Sequence, residues 1–431
     1  MIPLSDAASA PTLALCALLL VLIPLAPAGL GLLNTGLSRS RSAAHSLVGA
    51  FCLLSVAGIS YFVVGFCWEG YPGASVHALH LGGTAWNWIA TRPPFFHGLS
   101  WTGAAESDAA VFQLFCVGMA ALIPWGSGAE RWRLRAACLT TAFLAGFVYP
   151  IFAHWVWGGG WLRQLGSTFH LGSGFIDPGG AATIQALGGI TALAVVWILG
   201  PRRGKFPSNS PPAALPAHQI ILTLTGLLLT FVGWLALNAL AAMLFAGVPL
   251  ARLPLIELNT ALSASGALLA ALVVTRIHFG KPDASLCANA WTAGLVSSSA
   301  VAAALSPGGA LFTGIVAGAF LPVAIEFVES RCRLDDPSGG ITVHGLAALW
   351  GLLAAGVLSS GAPGQLVAQL VGIGTLLGLM LPAIYVLYSI LNRIVPFRAH
   401  PDGELAGMDL HELGAGAYPD FVLHSDEALP R

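Results

Sequence analysis

The sequence predicts an all-α membrane protein with about eleven spans of the bilayer. Of its 431 residues, 56% are hydrophobic and only 9% are charged, whereas a soluble domain carries about 25% charged residues. So few charges cannot cover the surface of a soluble chain of this length, and the bilayer must therefore be its solvent. The 52 glycines fit this class, because small residues let membrane helices approach closely.

Apolar runs long enough to cross about 30 Å of hydrocarbon recur along the whole chain. In sequence order they cover residues 13–36, 44–66, 109–128, 136–157, 179–200, 217–245, 255–276, 285–304, 309–327, 341–360 and 366–391. We expect them to form one transmembrane domain, residues 1–396, followed by a polar cytoplasmic tail, residues 397–431. The tail is too short for a separate domain, so we expect it to regulate, to bind a partner, or simply to be solvated.

The positions of the basic residues predict the orientation. Of the 18 Lys and Arg residues, all but Arg92, Arg163 and Arg252 follow an odd-numbered span. Because Lys and Arg are enriched in cytoplasmic loops, we expect the N-terminus outside and the C-terminus inside, in an inner or plasma membrane. The tryptophans of the outer loops are expected to form an aromatic belt at the interface.

An internal repeat points to the functional site. Residues 177–185 read DPGGAATIQ, and residues 336–344 read DPSGGITVH. Each segment is expected to open a membrane helix, with the aspartate as N-cap and the proline as the first helical residue. The polar residues at the ends of the two segments, Gln185 and His344, would then lie about 12 Å deeper, near the bilayer midplane.

The two segments are expected to have opposite orientations, because span five runs inward and span ten runs outward. Residues 13–200 and 217–360 would then be two inverted halves of five spans each, with residues 366–391 added as an extra helix. Folds of this kind place the binding or conduction site near the midplane, where the halves meet. The sequence therefore predicts that Gln185 and His344 form a pair. The inverted arrangement is common to many transporters and does not identify a solute.

The stretch YPIFAHWVWGGGWL at residues 149–162 resembles the aromatic, glycine-rich run at the outer end of the fourth helix in the Amt/Mep/Rh family of ammonium transporters. Further matches are GSGAER at 126–131, Gly233-Trp234 with Asn238, Asn259-Thr260, GKP at 280–282, VHG at 343–345 and GMDL at 407–410. The resemblance covers nearly the whole chain. It implies eleven helices, an external N-terminus, and a homotrimer with one ammonium or ammonia pore in each subunit.

The resemblance also implies roles for individual residues. Trp157 is similar to the vestibule tryptophan that would hold a cation against its ring face, and Phe112 to a phenylalanine at the outer mouth. Asp177 resembles a buried aspartate that caps a helix near that vestibule. His344 is similar to the second of two pore histidines, and Trp234 belongs to a matching motif that we count with the pore.

The sequence departs from the family pattern inside the pore. Gln185 replaces the first pore histidine, and Cys116 and Leu237 stand where two phenylalanines usually form a gate. Ala241 replaces a vestibule serine, and Gly339 replaces an aspartate before the second histidine. Glutamine keeps a donor and an acceptor but does not titrate as histidine does. We therefore expect a pore that passes neutral ammonia, or that transports ammonium with weakened selectivity.

Two other functions stay open at this point. One is an ammonium sensor that binds the ion with little transport, and the other is an Rh-like channel for neutral ammonia or carbon dioxide. A cytosolic P-II-like nitrogen-regulatory protein is a possible partner of the tail. We expect no enzyme activity, cofactor, metal site or nucleic-acid partner, because the scattered cysteines form no CxxC pair and no nucleotide loop or long basic cluster occurs.

Overall fold

The computed structural model describes residues 10–208, 210–359 and 363–418. Residues 419–431 of the predicted tail lie outside the described part. In chain order the long helices are α1 (Pro11–Leu37), α2 (Ser40–Glu69), α3 (Ala105–Ser127), α4 (Leu134–Phe169), α5 (Ala181–Leu199), α6 (Ile220–Ala246), α7 (Leu250–Phe279), α8 (Ala284–Val301), α9 (Pro307–Ser330), α10 (Gly340–Leu358) and α11 (Gln365–Ile394). Helix α4 is interrupted at residues 157–160.

All of these helices except α8 are long and apolar enough to cross a membrane, which makes ten candidate spans in the described part of the chain. Helix α8 has 18 residues and carries Asn289, Thr292 and three consecutive serines from Ser297. These polar side chains are buried between helices, so α8 needs no apolar surface toward lipid. The prediction of a helical protein with many membrane spans is confirmed, and the number eleven stays a prediction.

The all-α prediction is wrong for the segment between the second and third predicted spans. Val76–Leu81 (β1) and Thr84–Ala90 (β2) pair as an antiparallel hairpin. The two glycines between the strands take positive φ angles, which a two-residue hairpin turn requires. Its tryptophans pack on protein rings, with Trp88 at 4.9 Å from Trp155 and Trp86 at 6.1 Å from Trp161. These four rings therefore form one cluster, and their place at the membrane interface stays a prediction.

Small residues allow the closest helix contacts. Gly29 of α1 lies against the backbone of Gly226 and Thr230 in α6, and Gly318 of α9 lies against the backbone of Ala267 in α7. A side chain at either glycine would clash with the neighbouring helix. The prediction that glycines serve close helix approach is thus met at the contacts of α1 with α6 and of α7 with α9.

Buried ion pairs hold together the end of the bundle at which α3 ends. The Arg202 guanidinium donates two hydrogen bonds of 2.9 Å to the Asp335 carboxylate and one of 2.6 Å to Glu130. Arg131, which is fully buried, donates to the backbone oxygens of Gly200 and Asp335 at 2.8 Å. The two guanidinium groups lower the pKa of Asp335 to about 2. The sequence analysis used these arginines only to predict the orientation of the protein in the membrane. In the structure they also stabilise the fold.

The start of the tail is docked on the same end. Asp409 accepts hydrogen bonds from the backbone N–H groups of Ala44 and His45 near the start of α2, at 3.2 and 2.7 Å. Glu412 accepts from the N–H of Leu134 at the start of α4 and contacts the His45 ring at 2.9 Å. Carboxylates are favoured at helix N-termini, where N–H groups lack partners. Up to residue 418, the tail is therefore bound to the helices rather than merely solvated.

Candidate functional site

The two repeated segments have similar local structures. Gly180 and Gly339 take positive φ angles of 84° and 74° directly before α5 and α10. Each of their carbonyl groups accepts two hydrogen bonds, from Ile184 and Gln185 in one segment and from Val343 and His344 in the other. Both helices therefore begin with a widened π turn, a feature that is frequent at functional sites.

The predicted position of the helix starts is wrong by three residues. The Asp-Pro pairs form turns ahead of the helices instead of their first residues, because a glycine with positive φ follows in each case. Asp177 still reaches the first turn, and its Oδ2 accepts from the N–H groups of Ala182 and Thr183 at 3.1 and 2.8 Å. Gln185 and His344 consequently lie in the first turns of their helices rather than two turns deep.

Gln185 and His344 are in contact. The Nδ1 atom of the His344 ring lies 2.7 Å from Oε1 of Gln185, and both side chains are buried. Since an amide oxygen can only accept, the ring donates from Nδ1, and Nε2 of the neutral ring is left as an acceptor. The Nε2 amide group of Gln185 has no hydrogen-bond partner within the described residues. The pair thus presents one free amide donor and one imidazole acceptor.

A close helix crossing sets this contact. Gly189 is one turn beyond Gln185, and a Cβ atom at Gly189 would lie 2.5 Å from the backbone N and Cα of Gly345. Gly345 directly follows His344. Two glycines at one crossing let the backbones of α5 and α10 approach, so that side chains as short as Gln and His can meet.

Three aromatic rings cluster at the start of the α4 interruption. Trp157 is stacked on Phe245 with a centroid distance of 4.7 Å and an angle of 7°, and it meets Phe112 edge-on at 6.0 Å. The Trp157 indole N–H donates to the backbone oxygen of Asp177 at 2.7 Å. Phe245 therefore covers one ring face of Trp157, which sequence reasoning had assigned to a cation. Phe245 was missed, although it lies one helical turn from Ala241 on α6.

A cavity of ≈ 190 Å³ opens beside these rings. We call it the Trp157 cavity. It is lined by Trp157, Phe245, Phe175, Asp177, Arg163 and Arg252, together with small and apolar residues. One oxygen of Asp177, Oδ1, is buried and has no hydrogen-bond partner in the described chain. The sequence had singled out the two arginines only as exceptions to the charge pattern.

The other predicted pore residues are fully buried. The Trp234 indole donates to the Ser299 hydroxyl at 2.9 Å, which in turn donates to Asn238 at 3.0 Å. Cys116 and Leu237 are both in the apolar core. The sequence predicted no stacked phenylalanine pair at Cys116 and Leu237. The stacked rings in this region are instead Trp157 and Phe245, which line the Trp157 cavity, whereas Cys116 and Leu237 do not.

The fold is that of a membrane protein with many helical spans, and the site is a buried polar pair between two of its helices. This combination is typical of a channel or transporter. The sequence matches the model of the Ammonium Transporter Family over residues 12–418. It is 30% identical to the ammonium transporter Amt2 of Archaeoglobus fulgidus, over 93% of this chain and 86% of that protein. It is 33% identical to Amt2 of Haloferax mediterranei, over 91% and 87% of the two chains.

The chain belongs to the ammonium transporter family, and its function is the transport of ammonium or ammonia across a membrane. Solved structures share the fold. A structure described as "Sensor Amt Protein" superimposes with a TM-score of 0.83 at 24% identity, over 93% of this chain and 97% of that chain. Candida albicans Mep2 gives a TM-score of 0.77 at 21% identity, over 95% and 90% of the chains. At these identities the structures establish the fold alone.

Proposed function

We propose that this chain conducts neutral ammonia in preference to the ammonium ion, and that Gln185 and His344 form the polar point of its pore. The observation that carries the proposal is the hydrogen bond from Nδ1 of His344 to Oε1 of Gln185, at 2.7 Å. This bond fixes the amide so that its NH₂ group is the free end, and that group has no partner among the described residues.

A free amide donor discriminates between the two forms of the solute. Ammonia has a lone pair that can accept from the Gln185 amide and hydrogens that can be donated to Nε2 of His344. The ammonium ion has no lone pair, so the amide hydrogens would face its positive charge unpaired. Burial without a compensating hydrogen bond is costly for a polar group and far more so for an ion.

The pair also lacks the means to carry a proton separately. Two hydrogen-bonded imidazoles suit a proton relay, because histidine titrates near neutral pH. Glutamine does not titrate, so a proton removed from ammonium cannot pass from His344 to Gln185. Ammonia flux through this pore should therefore generate no net current.

The remaining site residues take supporting roles in this proposal. Trp157 and Phe112, with Phe245, narrow the path from the Trp157 cavity, and Asp177 orders the start of α5. Cys116, Leu237 and Trp234 line or support the passage between the rings and the polar pair. Their burial close to these elements supports the assignment.

The finer architecture belongs to the same proposal. We propose eleven membrane crossings, arranged as two inverted halves and one extra helix, with the N-terminus outside. The similar starts of α5 and α10 support this arrangement. The Trp157 cavity would then face the outside, and the docked tail would face the cytoplasm. A homotrimer, a plasma- or inner-membrane location and a P-II-like regulator at the tail fit the family.

The test compares wild type with Gln185→His and His344→Ala in proteoliposomes. Ammonium pulses are applied while internal pH and transmembrane current are recorded. We expect wild type to speed internal alkalinisation without current, Gln185→His to gain current, and His344→Ala to lose most of the flux. A robust, saturable ammonium current in wild type would overturn the proposal. Ammonium binding without flux in wild type would instead favour the sensor function.

A further inference from the structure

One wall of the Trp157 cavity is a loop without regular secondary structure. Residues 170–180 connect α4 to α5, and Phe175, Ile176 and Asp177 of this loop line the cavity. From residue 174 onward the loop is buried or half-buried. Its backbone N–H and C=O groups therefore need partners inside the protein. Whatever binds these groups also sets the shape of the cavity.

Two buried glutamines of α11 bind the loop through four hydrogen bonds. Oε1 of Gln365 accepts from the N–H of Ser173, and its Nε2 group donates to the backbone oxygen of Gly174, both at 2.9 Å. Oε1 of Gln369 accepts from the N–H of Ile176 at 2.8 Å, and its Nε2 group donates to the oxygen of the same residue at 2.9 Å. Each side-chain amide thus binds the loop with one donor and one acceptor, as a neighbouring backbone would.

A third contact continues the same face of α11. Gly372 lies about one turn beyond Gln369, and a Cβ atom at Gly372 would lie 2.1 Å from the ring of Phe175. The glycine therefore leaves room for that ring. Residues spaced three and four apart share one face of a helix, so Gln365, Gln369 and Gly372 form a single stripe along the loop. We call these three residues the α11 clamp.

The clamp is linked to the functional site through the next residue of the loop. Asp177 directly follows Ile176, and its backbone oxygen accepts from the Trp157 indole at 2.7 Å. Its Oδ2 atom accepts from the N–H groups of Ala182 and Thr183 in the first turn of α5. A displacement of Ile176 would therefore move the oxygen that orients Trp157 and the carboxylate that orders the start of α5.

We propose that Gln365 and Gln369 are positioning residues for solute entry, because they hold the loop that forms this wall of the cavity. Among the described residues, α11 itself lines no part of the cavity. The inference rests on the proposed function in one respect, that the Trp157 cavity is the entrance to the pore. Removing either amide leaves buried loop groups without partners, which costs free energy, so the loop should leave this conformation. Entry should then weaken, while the steps at Gln185 and His344 continue.

Transport kinetics in proteoliposomes test this proposal. For wild type, Gln365→Leu and Gln369→Leu, the initial rate of the internal pH change is measured over a range of ammonium concentrations. We expect the half-saturating concentration to rise on the order of tenfold in Gln369→Leu, which loses two hydrogen bonds. The maximal rate should stay within about twofold of wild type, since a change in the half-saturating concentration alone reports a loss of binding.

A matched control is Gln164→Leu. The Gln164 side chain also binds a backbone, because its Oε1 accepts from the N–H of Asn87 at 2.9 Å. That residue belongs to β2, and the hairpin contributes no described residue to the lining of the cavity. We therefore expect Gln164→Leu to keep the half-saturating concentration of wild type.

A spectroscopic measurement follows the cavity without transport. The protein is labelled with fluorotryptophan, and the fluorine NMR signal of Trp157 is assigned by its absence in Trp157→Phe. We expect Gln369→Leu to shift or broaden this signal and Gln164→Leu to leave it in place. If Gln369→Leu does not fold, Gln365→Leu decides, because it leaves both bonds to Ile176 intact and should give a smaller change of the same kind.

Three results would overturn the role of the clamp. They are an unchanged half-saturating concentration in both α11 variants, a fall in the maximal rate without a rise in that concentration, and an equal effect of Gln164→Leu. An ammonium current in wild type would count against the proposed function. It would leave the kinetic comparison and the Trp157 signal as independent tests of the clamp.

Discussion

The starts of α5 and α10 share a backbone conformation but differ in their surroundings. At the start of α5, Asp177 borders the Trp157 cavity, whose two arginines have no carboxylate partner in the described chain. At the start of α10, Asp336 follows Asp335, which is bound by Arg202. Asp336 also accepts a hydrogen bond of 2.7 Å from Ser127 at the end of α3.

The difference shows that one local motif serves two purposes. The α10 start is tied to neighbouring helices by ion pairs and hydrogen bonds, which fix the position of His344. The α5 start has one unpartnered carboxylate oxygen and faces a cavity, so it is open to a solute. Arginines at the α10 start therefore stabilise the fold through ion pairs, whereas the two arginines near the α5 start have no carboxylate partner in the described chain.

The sharpest test of this comparison is the same substitution at both ends. Arg202→Leu leaves the buried carboxylates of Asp335 and Glu130 without their main partner, and we expect a loss of about 3–5 kcal/mol in the free energy of unfolding. Arg163→Leu removes a guanidinium without a carboxylate partner and should change stability by less than about 1 kcal/mol. Thermal unfolding in detergent, with the yield of monodisperse protein, measures both.

Arg393→Leu, an exposed arginine at the end of α11, controls for loss of surface charge. Equal destabilisation by Arg163→Leu and Arg202→Leu would abolish the distinction between paired and unpaired arginines.

The helices could be predicted from sequence because hydrocarbon thickness imposes a length and a composition on each span. The hairpin at Val76–Leu81 and Thr84–Ala90 was not predicted, because a search for long apolar runs does not detect short segments of alternating polarity. Helix α8 was predicted from the apolar run at residues 285–304, although this run also contains several polar residues. The docking of Asp409 and Glu412 could not be predicted, because it depends on which helix N-termini lie at the same end of the bundle.

For the site, the repeated segments predicted that Gln185 and His344 are neighbours, and the structure places them in contact. The amide orientation could not be predicted, because it follows from the side of the ring that the crossing at Gly189 and Gly345 presents. Phe245 was overlooked for a similar reason, since stacking on Trp157 depends on how α6 lies beside α4. The sequence places residues along helices, whereas the contacts between helices come from packing.

A second test uses acid, and its expected effect is smaller. The pKa of Asp335 is lowered to about 2 by Arg131 and Arg202, below its usual value of about 3.9. A carboxyl group with a depressed pKa in the folded state contributes stability above its unfolded pKa and loses it as the pH falls toward its folded pKa. The whole contribution is on the order of 2 kcal/mol and should fade from about pH 4 to pH 2.

Thermal unfolding between pH 5 and pH 3 measures the first part of this loss. In Asp335→Asn the decline should be shallower than in wild type, because the titrating group is absent. Glu412→Gln serves as a control for the tail carboxylate, whose pKa is also lowered, by the His45 hydrogen bond. A decline of the same steepness in wild type and Asp335→Asn would show that the ion pairs at this end do not depend on that carboxylate.

The smallest effect separates the two helix starts most cleanly, because the same substitution is isosteric at both. The Thr183 hydroxyl donates to Asp177 at 2.8 Å, whereas the equivalent hydroxyl of Thr342 is buried and has no partner among the described residues. Thr183→Val should therefore cost about 1 kcal/mol, while Thr342→Val should be neutral or slightly stabilising. The measurement is the unfolding midpoint of each variant, compared with that of wild type in the same detergent. If both valines destabilise equally, the α10 start holds a hydrogen bond like that of the α5 start, and the contrast between a tied start and an open one would have to rest on the arginines alone.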